Sequence, residues 1–284
     1  ANMNSSSPLP RWKVENVSIS TPGNTVSNVI LIRNFLPHDV AEQLHASLEE
    51  KWNRLDKKHK AWGRKNLKKV LGRRLCEYPL IACKNSKYVD KTFVSTDCPI
   101  ISRESKKYGA ILIKRPKKLT TSTALGEKVY EHGYYEIKKM LNLDSKKIEC
   151  IVLLMANAPT ITSKLIDKGI NILRKNKKID SAVTTSIYNM WSPLRARKIS
   201  KNNLLKPFIP FEDFGNIKKW NCDRDSQGDV YFADMSASVV RPKCLENLDA
   251  GLLPQKWMGK KIASIPSWGG CDVDYEWQLP MVEF

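Results

Sequence analysis

Apolar residues recur along this chain in two rhythms. Short β-rich runs at Thr92–Ser95, Ala110–Ile113, Ile148–Met155, Ser181–Thr185 and Lys261–Ile265 predict strands. Between them, helical spacing predicts helices over Ile100–Tyr108, Thr123–Leu141 and Ser163–Arg174. In the last of these, Leu165, Ile166, Gly169, Ile170 and Leu173 share one face. Strand and helix in repetition predict an α/β fold, a Rossmann-like, mostly parallel sheet with helices on both faces. Sheets of that kind bind ligands beyond the carboxyl ends of their strands.

Outside this core the pattern changes. Residues Ala1–Pro10 are small, polar and proline-punctuated, which predicts a frayed terminus. Val29–Ile32 is a short strand-type run, and Val40, Leu44, Leu48 and Trp52 then recur every four residues as one helix. Tyr188–Val230 carries Pro193, Pro207 and Pro210 with little periodicity, so it predicts loops at the mouth of the sheet. A helical pattern follows Asp274 to the end. The expected domains are an N-terminal extension, 1–62 (strand, helix, basic linker), and an α/β domain, 63–284.

Composition narrows the class. Apolar residues at 42% and charged residues at 27% predict a folded chain. The longest apolar run, Cys150–Ala156, is far short of the ~20 residues of a membrane span, so a cytosolic protein without membrane contact is expected. Seven cysteines without a C-x-x-C fit neither a disulfide framework nor a zinc site. The net charge is +19, and eleven Lys/Arg against one acid, Asp56, fall between Lys51 and Arg74. Such a cluster attracts phosphate, on a nucleotide or on a nucleic acid.

The chain holds no G-x-G-x-x-G, G-x-x-x-x-G-K-[ST], H-E-x-x-H or G-x-S-x-G, which excludes nicotinamide dehydrogenases, P-loop NTPases, zincins and serine hydrolases. Four segments carry candidate chemistry instead. Arg64–Gly72 (RKNLKKVLG) is a basic turn leading into a helical segment, suited to polyphosphate through ammonium groups and backbone N–H. Phe93–Asp97 is a strand ending in polar residues, followed by Lys107–Ala110 and Arg115–Leu119. Leu153–Thr160 is a buried strand ending in a small-residue turn. Asp272 and Asp274 fall on one face of an extended segment, where two carboxylates share a hard cation.

Read together, these segments resemble the cytidylyltransferases that activate acidic sugars, the CMP-acylneuraminate and CMP-Kdo synthetase family. The order K-N-L, V-S-T-D, K-x-G-A, R-P-x-x-L, T-A, a strand and turn ending in a small residue and Pro, then D-x-D is met across Gly63 to the end. The resemblance implies a nucleotide-diphospho-sugar transferase type fold, a homodimer, and CMP transfer from CTP to a sugar acceptor of the acidic 2-keto class with release of pyrophosphate. It implies Mg²⁺ on Asp272 and Asp274, Lys65 and Asn66 beside the nucleotide, and Arg115 near the base. On that footing Lys65, Arg64 and Lys68 are expected on the phosphate side, and Asn66, Arg115 and Asn157 at the cytidine.

Two departures stand beside these matches. The family's glycine-containing phosphate loop is missing before Lys65, where the chain reads as a basic linker, Trp52–Trp62. The Q-P-T-S-P-x-R turn reads Met155–Ile161, without its Gln and Arg, which removes two polar contacts to a carboxylate-bearing sugar. An alternative reading is therefore an impaired relative binding nucleotide or nucleic acid through residues 51–74. Ile30–Leu36 and Val40–Leu44 also resemble the entry of 2-oxoglutarate, iron-dependent oxygenases. No histidine here is followed two residues on by an acid, so oxygenase chemistry is excluded.

Overall fold

The computed structural model describes residues 65–283 other than Ser122, Ile217, Lys219, Trp220 and Arg224, together with short strands at Val14–Val17, Ser20–Thr21, Asn24–Thr25 and Val29–Ile32. The chain divides into units 1–63 and 64–284. In the first, Val29–Ile32 is a strand as its apolar run predicts, paired antiparallel with Val14–Val17. The helix expected over Val40–Trp52, the basic linker and Arg64 lie outside the described residues.

The second unit is α/β. Its main strands are β1 (Phe93–Thr96), β2 (Ile111–Lys114), β3 (Ile151–Leu154), β4 (Ser181–Ile187), β5 (Tyr231–Val240) and β6 (Ile262–Pro266). Its helices are α1 (Glu77–Lys84), α2 (Pro99–Lys107), α3 (Gly126–Leu141), α4 (Ser163–Lys175) and α5 (Pro242–Glu246). β1 and β2 pair in parallel around α2, and β4 and β6 pair in parallel within a four-stranded sheet ordered β6-β4-β5-β3. β5 runs antiparallel to both β4 and β3. This reversed strand was not anticipated, because Asp234, Ser236 and Ser238 interrupt its apolar pattern.

Alternation along the strands divides the core between two faces. Ala182 and Val239 pack with Ile166, Ile170 and Leu173 of α4 and with Ala82 and Cys83 of α1. Their neighbours Val183 and Val240 point the other way, onto Tyr134 of α3, Leu245 of α5 and Trp257. Each large apolar side chain fully buried there contributes about 1.5–3 kcal/mol. Gly169 lets α4 sit close to the sheet: a Cβ there would meet Ile265 Cδ1 at 2.6 Å and Val239 Cγ2 at 2.7 Å. The carboxyl end of α4 is capped by Arg241, which donates to the carbonyls of Leu173 (2.8 Å) and Asn176 (3.1 Å).

Three local expectations change. The basic run after Lys65 is not a helix; it forms a single 3₁₀ turn, Lys65–Leu67, then a hairpin pairing Lys69–Val70 with Arg73–Arg74. Leu71 and Gly72 turn that hairpin with φ of 46° and 81°, as two-residue hairpin loops require. The end of the chain forms 3₁₀ turns at Glu276–Gln278 and Pro280–Val282, where Pro280 interrupts the helical pattern. Within Tyr188–Val230, a hairpin of Arg197–Ile199 with Leu205–Pro207 projects Ile199, Leu205 and Phe208 as exposed apolar side chains. Among the described residues, no helix is long and apolar enough to cross a membrane.

Candidate active site

The late acidic segment is assembled from three directions. After β6, the Ser267 N–H donates to the Thr185 carbonyl at 2.8 Å, prolonging the ladder beyond the strand. Gly270 is then gripped at both ends of its residue, its N–H donating to Ser186 Oγ at 2.7 Å and its carbonyl accepting from the Tyr188 hydroxyl. The Cys271 N–H donates to Thr160 Oγ1 (3.2 Å), and the Val273 N–H to the Asn157 carbonyl (2.8 Å). Val273 is fully buried. Since extended side chains alternate, its neighbours Asp272 and Asp274 are turned together to the other side.

Asp274 is where the two ends of the unit meet. Its Oδ1 receives the ammonium of Lys65, a residue 209 positions earlier, and the Nδ2 of Asn157 at 3.2 Å. Its own N–H donates to Gln278 Oε1 at 2.7 Å. Burial raises the Asp272 pKa from its ordinary value, and the charge of Asp274 raises it further against the pull of Lys65. Two neighbouring carboxylates, one of them partly desolvated, therefore carry an electrostatic cost that a cation between them relieves.

The early cationic element owes its position to the hairpin. Val70, Leu75 and Cys76 are buried, and the Cys76 N–H donates to the Asn66 carbonyl at 3.1 Å. Glu77, opening α1, accepts from the Arg74 N–H (2.7 Å) and the Tyr108 hydroxyl (2.8 Å), tying the hairpin to the end of α2. The side-chain oxygen of Asn66 is buried without a protein partner, an acceptor left over in a well-satisfied neighbourhood. Lys68 is exposed at the start of the hairpin.

The remaining expected residues separate. Arg115 is half-buried against the end of β1, donating to Ser95 Oγ at 3.2 Å and to the Ser95 carbonyl. Burial lowers its pKa, opposed by Asp97 and Tyr130. Its hydrogen bonds therefore go to Ser95 and not to the Lys65–Asp274 group. Asn157 is buried, and its amide N–H bonds serve the Val273 carbonyl (3.1 Å) and Asp274, so it braces the acidic segment.

Sequence reasoning missed Asp234, Thr160, Ser186 and Tyr188. Asp234 on β5 is buried, accepting from Thr184 Oγ1 and Ser186 Oγ (2.6 Å) and from the Ser236 N–H (3.0 Å). The signal for it was an acid inside an otherwise apolar and small-residue run, YFADMSASVV.

As a cation site, the donor set fits a hard ion. Among the described residues, no three or more His, Cys, Asp or Glu side chains cluster as metal ligands. Mg²⁺ needs no such cage, since it is commonly held by one or two carboxylates with water and substrate phosphates completing the shell. A cleft of about 670 Å³ between α4 and the segment following α1, flanked by Lys87, Lys164, Lys168 and Lys175, contains none of these residues.

Residues 63–207 match the family model described as cytidylyltransferase. No curated protein matches the chain. Similar solved structures include a CMP:2-keto-3-deoxy-manno-octonic acid synthetase complexed with CTP, at 14% identity over 77% of this chain and 90% of that one, TM-score 0.52. A 4-diphosphocytidyl-2C-methyl-D-erythritol synthase from Anaerococcus prevotii is 15% identical over 76% of this chain and 86% of that one, TM-score 0.50. Another 4-diphosphocytidyl-2C-methyl-D-erythritol synthase is 10% identical over 77% and 92%, TM-score 0.54. At these identities the likeness is one of fold.

Proposed function

Because the chain belongs to the cytidylyltransferase family, we propose that it transfers CMP from CTP to a sugar hydroxyl, with the acidic 2-keto sugars as the first acceptor class to test. The acceptor oxygen bonds to the α-phosphorus, the bond from that phosphorus to the bridging oxygen breaks, pyrophosphate leaves, and the hydroxyl proton passes to solvent. The observation that carries this reading is the meeting of Lys65 with Asp274 beside Asp272. It sets cationic and anionic groups at one place, as transfer governed by positioning and charge neutralisation requires. One solved structure of like fold is described as complexed with CTP.

In this proposal Asp272 and Asp274 hold Mg²⁺, which when bound neutralises charge on the phosphate oxygens. Asn157 keeps Asp274 aimed, and Lys65, with Lys68 and Arg64, supplies positive charge to the departing pyrophosphate. Asn66, with its unpartnered oxygen, suits an amino donor such as that of cytosine, and Arg115, whose own hydrogen bonds go to Ser95, is assigned to the base side by the resemblance alone. The alternative of a nucleic-acid binder acting through residues 51–74 is not favoured, given the family match over 63–207.

The apolar hairpin side chains Ile199, Leu205 and Phe208 support a homodimer. Seven cysteines at scattered spacings suit a reducing cytoplasmic setting.

The test is pyrophosphate release with CTP, ATP, GTP and UTP, with and without Mg²⁺, against a panel of sugar acids and neutral sugars. The expected result is turnover selective for CTP, lost in Asp274→Ala with the circular dichroism spectrum retained. Equal turnover in that variant removes the metal assignment, and absence of CTP selectivity removes the transferase reading.

A further inference from the structure

The acidic segment stands on a second carboxylate structure that the nucleotide-transfer reading does not use. In the ladder between β4 and β5, Val183 faces Ser238 and Thr185 faces Ala233. Four residues, Asp234 to Ala237, thus stand opposite Thr184 alone, a bulge larger than the usual two against one. Within it Met235 has φ of 61°, in the left-handed region that costs a non-glycine residue about 1–3 kcal/mol. Strain of this kind persists only where surrounding contacts enforce it.

Those contacts converge on Asp234. Its Oδ1 accepts from the Thr184 hydroxyl and from the Ser236 N–H at 3.0 Å. Thr184 Oγ1 also accepts from the Ala237 N–H at 3.0 Å, replacing part of the ladder that the bulge removes. The other oxygen, Oδ2, accepts from the Ser186 hydroxyl at 2.6 Å. With its proton committed to Asp234, Ser186 Oγ turns a lone pair toward the Gly270 N–H, which it receives at 2.7 Å. Gly270 lies directly over the carboxylate: a Cβ on it would stand 2.1 Å from Asp234 Cγ and 2.2 Å from Oδ2.

All the donors named here are neutral, and among the described residues no ion pair is formed by Asp234.

We propose that Asp234 is a positioning residue: through Ser186 it fixes Gly270 and hence the Asp272–Asp274 segment, and it thereby sets the divalent-cation affinity of that pair. The inference rests on the assignment of Asp272 and Asp274 as cation ligands. Both oxygens of the Asp234 carboxylate face donors. An amide keeping its oxygen toward Thr184 and Ser236 sets its N–H₂ against the Ser186 hydroxyl, which must then accept where it had donated, and the negative charge that fixes the Ser186 proton is lost. Outer carboxylates that orient metal ligands typically govern affinity by about 10–100-fold.

The experiment is Mn²⁺ titration of the full chain, with free Mn²⁺ read by electron paramagnetic resonance and without CTP or turnover. The proteins are wild type, Asp234→Asn, Ser186→Ala and Asp272→Asn. Asp234→Asn and Ser186→Ala are expected to weaken Mn²⁺ binding about 10–100-fold with the circular dichroism spectrum preserved. Mn²⁺ affinity within twofold of wild type in Ser186→Ala overturns the proposal, and that variant decides alone if Asp234→Asn does not fold. Wild-type binding that survives in Asp272→Asn overturns the cation assignment itself, a separate failure from an unaltered Ser186→Ala.

Discussion

Asn157 offers the most direct check on how the acidic segment is held. Its amide makes two bonds, to the Val273 carbonyl at 3.1 Å and to Asp274 Oδ1 at 3.2 Å, from a side chain that is buried. Asn157→Ala removes a neutral hydrogen bond worth about 1 kcal/mol and a charge-assisted one worth about 1.5–3 kcal/mol. Asp274 is half exposed, which favours the lower end. With a small cavity added, the loss is about 3 kcal/mol. For a unit of this size that lowers Tm by about 6–12 °C. Chemical denaturation checks the magnitude, since the midpoint should fall with the slope unchanged.

A companion variant reverses the sign of the contact. Asn157→Asp keeps the volume but sets a carboxylate oxygen near 3.2 Å from Asp274. The repulsion lies between about 1 kcal/mol in water and about 5 kcal/mol at an effective dielectric constant of ~20. Magnesium should then restore more stability to Asn157→Asp than it adds to the wild type. An Asn157→Ala midpoint equal to wild type, or an Asn157→Asp protein indifferent to magnesium, would refute the bracing role.

Other outcomes follow from the same geometry. Burial holds the Asp272 pKa above its unfolded value, so its contribution to stability is present below about pH 4 and is lost as pH rises through the folded pKa. Asp272→Asn should accordingly raise the metal-free denaturation midpoint at pH 7 and give no gain near pH 3; a gain that is equal at both pH values speaks against charge burial. Gly270→Ala forces a methyl onto the Asp234 carboxylate, so a loss of about 3 kcal/mol or more is expected, and a Tm within 2 °C of wild type would show that the turn yields freely. If the exposed hairpin is a self-association surface, Leu205→Glu should convert a dimer to a monomer in sedimentation velocity, and an unchanged sedimentation coefficient rejects that surface.

Local pattern carried much of this architecture. Ile166, Ile170 and Leu173 spell out the buried face of α4 because helical periodicity is a property of adjacent turns. The β-rich runs of β3, β4 and β6 are legible for the same reason, since strand propensity is carried by adjacent β-branched and apolar residues. The D-x-D spacing likewise placed Asp272 and Asp274 on one side of an extended segment, with Val273 buried between them.

Contacts between distant segments were legible only through the family resemblance, or not at all. Lys65 and Asp274 meet because the hairpin after Lys65 and the segment after β6 are carried to one place by packed elements, and no spacing between residues 209 apart encodes that distance. Asn157, expected at the cytidine, has its amide N–H₂ bonded to the Val273 carbonyl and to Asp274, a commitment that depends on where the Val273 carbonyl falls. Asp234 read as a polar interruption of a strand. Its neighbours Ser186 and Gly270 come from other parts of the chain, and burying a carboxylate is tolerable only once those donors have been folded around it.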